Sequence, residues 1–267
     1  AESWLDNSYT TVRVPKDSPL LKYYDFGGDL KIDSLRHSNG GYAYYGEGGI
    51  IPEGTEPLAR FIYDTVSVDA KTRHIHDQVC GWAYKKNEES GRIVITGSHP
   101  EGVAVGERLE MMAAMMQYAM DGNGIEKIKG ELAPGELREM NKSTADADPL
   151  YTKIGDLQYH HFKVNVPAKT KKLKISLKGY NKNDDFDLSL CAKAGEFAFH
   201  HNTKIKNVSE GCWKELMIDT PKAGEWYISV RCENTVETHN GKYGTEYVEG
   251  KEVLNGVPYK IMVEFEK

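Results

Sequence analysis

Residues 92–101 read Arg92-Ile-Val-Ile-Thr96-Gly-Ser-His-Pro-Glu101, and a helical run follows a few residues later. The apolar, β-branched stretch Arg92–Thr96 is short and bounded by turn residues, which predicts a strand buried on both faces. Gly97–Glu101 is a tight turn. A helix is predicted to begin near Val105 or Gly106, with Leu109, Met112, Ala113, Met116, Ala119 and Met120 spaced three and four apart, and Asp121-Gly122-Asn-Gly124 ends it. The methionine stripe reads as core packing, because Met adapts to irregular gaps. Strand, turn with His and Glu, then helix is the order of an α/β domain, in which ligands sit at the C-terminal ends of strands.

Upstream, the first 60 residues are dense in Gly and Tyr. Arg36-His-Ser-Asn-Gly-Gly-Tyr-Ala-Tyr-Tyr-Gly-Glu-Gly-Gly49 has no helical period and reads as a loop feeding a short strand, with glycines where backbone must approach a ligand or take φ > 0. Thr55–Tyr63 alternates as a strand does. Trp82 and Tyr84 mark a strand end, and Lys85–Gly91 a charged turn.

Downstream of Gly155 the period changes to two. Phe162, Val164 and Val166 alternate with Lys163 and Asn165; Leu173, Ile175 and Leu177 alternate with Lys172, Lys174, Ser176 and Lys178. Trp226–Val230 and Tyr259–Phe265 continue the series. Short alternating strands between turns predict an antiparallel β-sandwich with one wet face. The lysines at 169, 171, 172, 174 and 178 read as the solvated face of an edge strand, where Lys also blocks unwanted pairing.

Composition agrees with a two-part chain. Of 267 residues, 39% are hydrophobic and 28% charged, and 16 Tyr, 4 Trp and 7 Phe argue against disorder. No apolar run approaches the roughly 18–20 residues of a spanning helix. The net charge of −6 carries no basic patch, so a nucleic-acid partner is not expected. Residues 1–150 hold 16 basic and 24 acidic residues, and 151–267 hold 18 and 16. The expected division is therefore an α/β portion over 1–124, a turn-rich connector over 125–150 and an all-β portion over 151–267. At this length the connector is expected to pack on a neighbour or carry function.

The Arg92–Glu101 strand and turn, with the helix after them, resemble the C-terminal part of the class I glutamine amidotransferase-like fold, in the branch related to the N-terminal domain of biotin-protein ligase. The resemblance covers about 30–122 and implies a partial flavodoxin-like α/β domain. It also implies that His99 acts as general base to a cysteine nucleophile, with Glu101 holding the imidazole in the right tautomer. Ser38-Asn-Gly-Gly-Tyr42 is similar to the glycine-rich pocket strand of the same branch, which implies that His37, Asn39, Gly40, Gly41 and Tyr42 line a substrate pocket. The family's Gly-x-Cys-x-Gly elbow has no counterpart here. Residues 1–79 contain no cysteine, and Cys80 lies only 19 residues before His99. The nucleophile is thus expected from outside this chain, from an upstream half or a second chain.

The second half is similar to the bacterial pre-peptidase C-terminal domain, a jelly-roll-like sandwich appended to many secreted hydrolases. The resemblance spans about 156–265 and rests on Asn183-Asp-Asp-Phe-Asp-Leu188 and Ala223-Gly-Glu-Trp-Tyr-Ile-Ser-Val230; Ser189 stands where the family commonly has Tyr. It points to a secreted or extracellular protein. Asp184, Asp185 and Asp187 form a candidate calcium site, since hard cations take several carboxylate and carbonyl oxygens, and some members of that family bind calcium. The other reading is an acidic turn that solvates a loop.

Of the remaining candidates, His74 and His76 could form a metal pair but read better as a solvated strand edge. His160-His161 and His200-His201 would point to opposite faces of a strand, which makes them poor chelators. A disulfide among Cys191, Cys212 and Cys232 is expected if the protein is secreted, with the pairing open. Two glycosylation sequons, at Asn141 and Asn207, fit the same route. The opening Ala1-Glu-Ser-Trp4 lacks the features of a signal peptide, which reads as a mature product or a cut-down piece.

Two functions follow as expectations. One is part of a secreted amidotransferase-like hydrolase acting on an amide or peptide-like bond. The alternative is a catalytically inactive scaffold of that kind, serving as a ligand-binding or assembly module.

Overall fold

The computed structural model describes residues 8–37, 51, 53–62, 65–68, 71–74, 76–103, 106–122, 128–143, 148–181, 184, 186–242 and 244–267. The chain divides into two compact units, Ala1–Glu126 and Lys127–Lys267.

In the first unit the strands are β1 (Ser8–Arg13), β2 (Lys31–His37), β3 (Thr55–Phe61), β4 (Thr65–Val68), β5 (Lys71–His74), β6 (Val79–Lys85) and β7 (Arg92–Thr96), followed by helix α1 (Gly106–Met120). Five of them form one sheet in the order β2-β1-β3-β6-β7, and β4 pairs with β5 in a separate hairpin. Every pairing in the sheet is antiparallel. This corrects the expected partial flavodoxin-like α/β arrangement, which is not evident here. The connection from β6 to β7 is a tight turn in which Asn87 Oδ1 accepts the main-chain N–H groups of Glu89 and Ser90. A turn this short reverses the chain, whereas a parallel neighbour needs a crossover of a dozen or more residues. α1 is long enough for such a crossover, but it follows the last strand of the sheet.

β7 is also not buried on both faces. Its burial alternates, with Ile93 57% and Ile95 40% exposed, while Val94 and Thr96 are half-buried. Opposite Thr96 on β6 sits Gly81, where an added Cβ would meet Met115 Cε at 3.2 Å and Met111 Cε at 3.6 Å. One face of the β6–β7 edge therefore lies under α1, and the other is open.

The helix keeps its predicted limits but not its predicted face. Its buried residues are Leu109, Met111, Ala114, Met115 and Tyr118, whereas Met116 and Met120 are exposed. Behind it lies a core of Val12, Leu20, Phe26, Ile32, Leu35, Leu58 and Phe61. The end of α1 is tied to the unit by Asp121, whose Oδ2 accepts the Tyr23 hydroxyl at 2.6 Å while Oδ1 accepts Gln117 Nε2 at 3.2 Å.

The second unit holds β8 (Ile128–Glu131), β9 (Arg138–Met140), β10 (Tyr159–Val166), β11 (Lys172–Gly179), β12 (Leu188–Ala194), β13 (Lys206–Asn207), β14 (Lys214–Asp219), β15 (Gly224–Cys232), β16 (Glu237–Gly241), β17 (Gly244–Glu249) and β18 (Tyr259–Glu266). Two sheets, β13-β12-β15-β10-β8 and β14-β11-β18-β9, enclose one core, and β16–β17 is a separate hairpin. This is the expected β-sandwich. Phe162, Val164 and Val166 from one sheet and Leu173, Ile175 and Leu177 from the other are all at most 1% exposed. β8 and β9 arise within the stretch read as a connector and supply an edge strand to each sheet, β8 parallel to β10. Such alternation gives each sheet one apolar face, and burying it between the layers contributes about 25 cal/mol per Å².

The lysine stripe does not mark an edge strand. β11 lies between β14 and β18, and two of its lysines face carboxylates there: Lys174 Nζ is 2.8 Å from Glu215, and Lys172 Nζ is 3.5 Å from Glu266. Cross-strand charge pairing accounts for these two.

Candidate functional site

β7 ends at Thr96 and the chain turns sharply. Thr96 Oγ1 lies 2.6 Å from Ser98 Oγ and accepts the Ser98 N–H at 3.2 Å, which braces the turn. The His99 N–H then donates to the Arg36 carbonyl at 2.8 Å, in an isolated bridge between residues 36 and 99. Pro100–Val103 forms a single 3-10 turn with Glu101 in its first turn. This compact geometry returns the Glu101 side chain to the imidazole, and His99 Nδ1 lies 2.8 Å from Glu101 Oε1, with side chains 44% and 57% exposed. A carboxylate at Nδ1 selects the tautomer protonated there and leaves Nε2 as the basic nitrogen.

A cavity of about 270 Å³ lies beside this pair, lined by Val94, Thr96, Pro100, Glu101, Met112 and Met116 among others. It occupies the space between β7 and the side of α1 on which Met112 and Met116 lie.

The other expected pocket residues divide between described and undescribed positions. His37 closes β2, directly after the residue bridged to His99. Asn39, Gly40, Gly41 and Tyr42 lie outside the described residues.

The four cysteines are free thiols and all are buried, so the expected disulfide does not form. Cys212 and Cys232 belong to the sandwich core, while Cys191 lies on the outward side of β12. Burial pushes the thiols of Cys80, Cys191 and Cys232 up to about 12. None is poised as a thiolate near neutral pH. Cys80 is fully buried, with its carbonyl accepting the Gly97 N–H at 2.9 Å.

In the second unit, Asp184 Oδ2 accepts the Asn181 N–H at 2.6 Å, and Asp187 Oδ1 accepts the Gly211 N–H. Beside them the Lys214 ammonium, 4% exposed as a residue, donates to the carbonyls of Ser209, Glu210 (2.7 Å) and Gly211 (2.6 Å). Asp185 lies outside the described residues. Among the described residues, no three His, Cys, Asp or Glu side chains converge as a metal site would require. Both sequon asparagines are engaged: Asn141 Nδ2 donates to Tyr180 Oη at 2.9 Å and Asn207 Nδ2 to the Glu215 carbonyl at 3.3 Å.

One polar cluster has no clear sequence signature. His200 lies in a turn rather than a strand, and its Nε2 is 2.5 Å from Ser189 Oγ and 3.1 Å from Glu233 Oε1, with Arg231 Nη1 3.3 Å from Nδ1. Burial pushes the Glu233 carboxyl up, but the His200 hydrogen bond and the Arg231 charge outweigh it and hold it below the usual range. Serine and carboxylate share one ring nitrogen, whereas nucleophile activation needs them on opposite nitrogens. The cluster is a buried brace that pins the 197–202 turn to β12 and β15. By contrast His160 and His161 do point to opposite faces of β10, as read, bonding Tyr259 Oη and Ser229 Oγ, each at 2.8 Å.

Comparison with family models and with curated proteins gives no match. Among solved structures, the chain is similar to the pre-peptidase C-terminal domain of collagenase from Bacillus anthracis. The two share 12% identity over 52% of this chain and 99% of that domain, with a TM-score of 0.30. Among the described residues, no helix is long and apolar enough to cross a membrane.

Proposed function

We propose that the first unit contributes the base half of a cysteine–histidine–glutamate hydrolase acting on an amide or peptide-like bond, with the thiol supplied by another polypeptide. The observation that carries this reading is the 2.8 Å contact between His99 Nδ1 and Glu101 Oε1 at the edge of a cavity. In the attacking step, Nε2 of His99 takes the thiol proton as sulfur bonds to the carbonyl carbon. The same proton is then delivered to the leaving amine as the carbon–nitrogen bond breaks, giving a thioester that water hydrolyses. Glu101 holds the ring in place through its contact with Nδ1. The buried, unactivated cysteines of this chain support an external nucleophile. The sandwich is then an appendage of a secreted enzyme, in keeping with its similarity to the pre-peptidase C-terminal domain.

The test is labelling of the natively isolated protein, with its co-purifying chains, by a chloroketone analogue of glutamine. The label is expected on a cysteine outside this chain, and His99→Ala should slow labelling by about 10²-fold or more, the usual scale for a general base. Labelling that is absent, or unchanged in the variant, overturns the proposal and favours a non-catalytic scaffold.

A further inference from the structure

β7 is the terminal strand of its sheet among the described residues, and its hydrogen-bonding register identifies which groups face outward. Gly97 N–H donates to the Cys80 carbonyl, and pairs continue as Gly81–Thr96, Trp82–Ile95, Ala83–Val94 and Tyr84–Ile93. In an antiparallel ladder, bonded and non-bonded pairs alternate. Ile95 and Ile93 therefore spend their main-chain groups on β6, and those of Val94 and Thr96 turn to the open side.

Natural edges are usually guarded by lysine, proline or an inward charge. Here the sequence Ile93-Val-Ile-Thr96 has none. The neighbouring cation is folded away: Arg92 lies 3.8 Å over the Tyr118 ring, and its Nη1 donates to the Tyr118 carbonyl at 2.7 Å. The edge is flanked by apolar surface on both faces. Ile93 and Ile95 stand exposed on one, and the cavity of Val94, Thr96, Met112 and Met116 opens on the other, with Met116 58% exposed. At about 270 Å³ the cavity is far larger than the roughly 10–15 Å³ that one water needs on the same measure.

We infer that this edge is a strand-addition site for an extended segment of a partner polypeptide with apolar side chains at alternate positions. The segment bonds main chain to main chain with Val94 and Thr96. One set of its side chains enters the methionine-lined cavity, and the other covers Ile93 and Ile95. Main-chain bonds give affinity and alternate pockets give selectivity, as in other strand-addition sites. At the Thr96 end the cavity wall carries the Glu101 carboxylate, which favours a basic residue at that end of the segment. The inference does not depend on whether His99 acts as a base.

The probe is a capped nine-residue peptide of alternating threonine and valine, with lysine at each end, titrated into the full chain. Amide exchange at Val94 and Thr96, followed by NMR, should slow by about tenfold or more at saturation, as for any newly formed ladder bond. The same peptide N-methylated at alternate residues should bind at least about tenfold more weakly, because its ladder donors are gone. Two surface variants, Met116→Lys and the double change Ile93→Lys with Ile95→Lys, should each weaken binding at least several-fold, and neither touches a buried side chain. No peptide binding up to millimolar concentration overturns the inference. So does binding that N-methylation leaves unchanged, or protection of Val94 and Thr96 that arises from self-association without peptide.

Discussion

Lys214 shows how one side chain decides the use of a loop. Its ammonium is enclosed by the carbonyls of residues 209, 210 and 211, and Asp187 holds the same loop through the Gly211 N–H. Burial lowers the lysine's proton affinity, and Asp187 opposes that by favouring the charge. Lys214→Met leaves the three loop carbonyls without their shared donor. Hydrogen bonds to a charged group contribute about 1.5–3 kcal/mol, so urea unfolding should report a loss of about 1–3 kcal/mol. Lys214→Arg should not restore it, because a planar fork cannot replace a compact three-donor head. The acidic character of residues 184–187 was plain in the sequence. The ammonium's place was not, because spacing does not encode that the Lys214 side chain turns back onto the carbonyls of residues 209–211.

At the scale of the element, α1 separates what periodicity can fix from what it cannot. Its limits, its amphipathic character and the stop at Asp121-Gly122 could all be read from spacing. The face could not, since Met111-Met112, Ala113-Ala114 and Met115-Met116 are doublets, and shifting the stripe by one residue keeps it apolar. Tyr118 breaks the tie: its hydroxyl bonds Glu56 and its ring lies under Arg92, and both need it turned to the sheet. Met111→Ala is expected to lower stability by about 2–4 kcal/mol through the cavity it leaves, and Met116→Ala by less than about 0.5 kcal/mol. Equal effects in chemical denaturation would mean that the helix face is misassigned. β7 carries a similar lesson. An apolar run marks a strand, but whether one or two faces are covered depends on partners that the run does not encode. β10 and β11 were easier to read because Phe162, Val164 and Val166 and Leu173, Ile175 and Leu177 alternate in the sequence and all enter the shared core. The His–Glu pair was legible as a motif, whereas the Ser189–His200–Glu233 brace unites residues from separate strands and a turn.

At the scale of the whole molecule, the charge divides with the units: residues 1–126 carry a net −7 and residues 127–267 a net +1. The second unit has a complete core of its own, which leads to a test of its pH response. His160 is buried with Nδ1 2.8 Å from Tyr259 Oη. Burial, reinforced by the charges of Lys129 and His161, holds its proton affinity well below the ordinary histidine value. The folded unit therefore keeps this imidazole neutral, while the unfolded chain takes up a proton near pH 6.5. Below that pH the unfolded state binds more protons than the folded one, so stability falls as pH falls, by up to about 1.4 kcal/mol per pH unit for this group. The loss continues until the folded value is reached, and above pH 6.5 the contribution is fully present. Urea unfolding of the 127–267 unit at pH 7.5 and pH 5.0 should show this decline. His160→Gln, which retains a polar group toward Tyr259, should be less stable at pH 7.5 but lose less on acidification. A variant with the wild-type slope would place the acid sensitivity elsewhere in the sandwich.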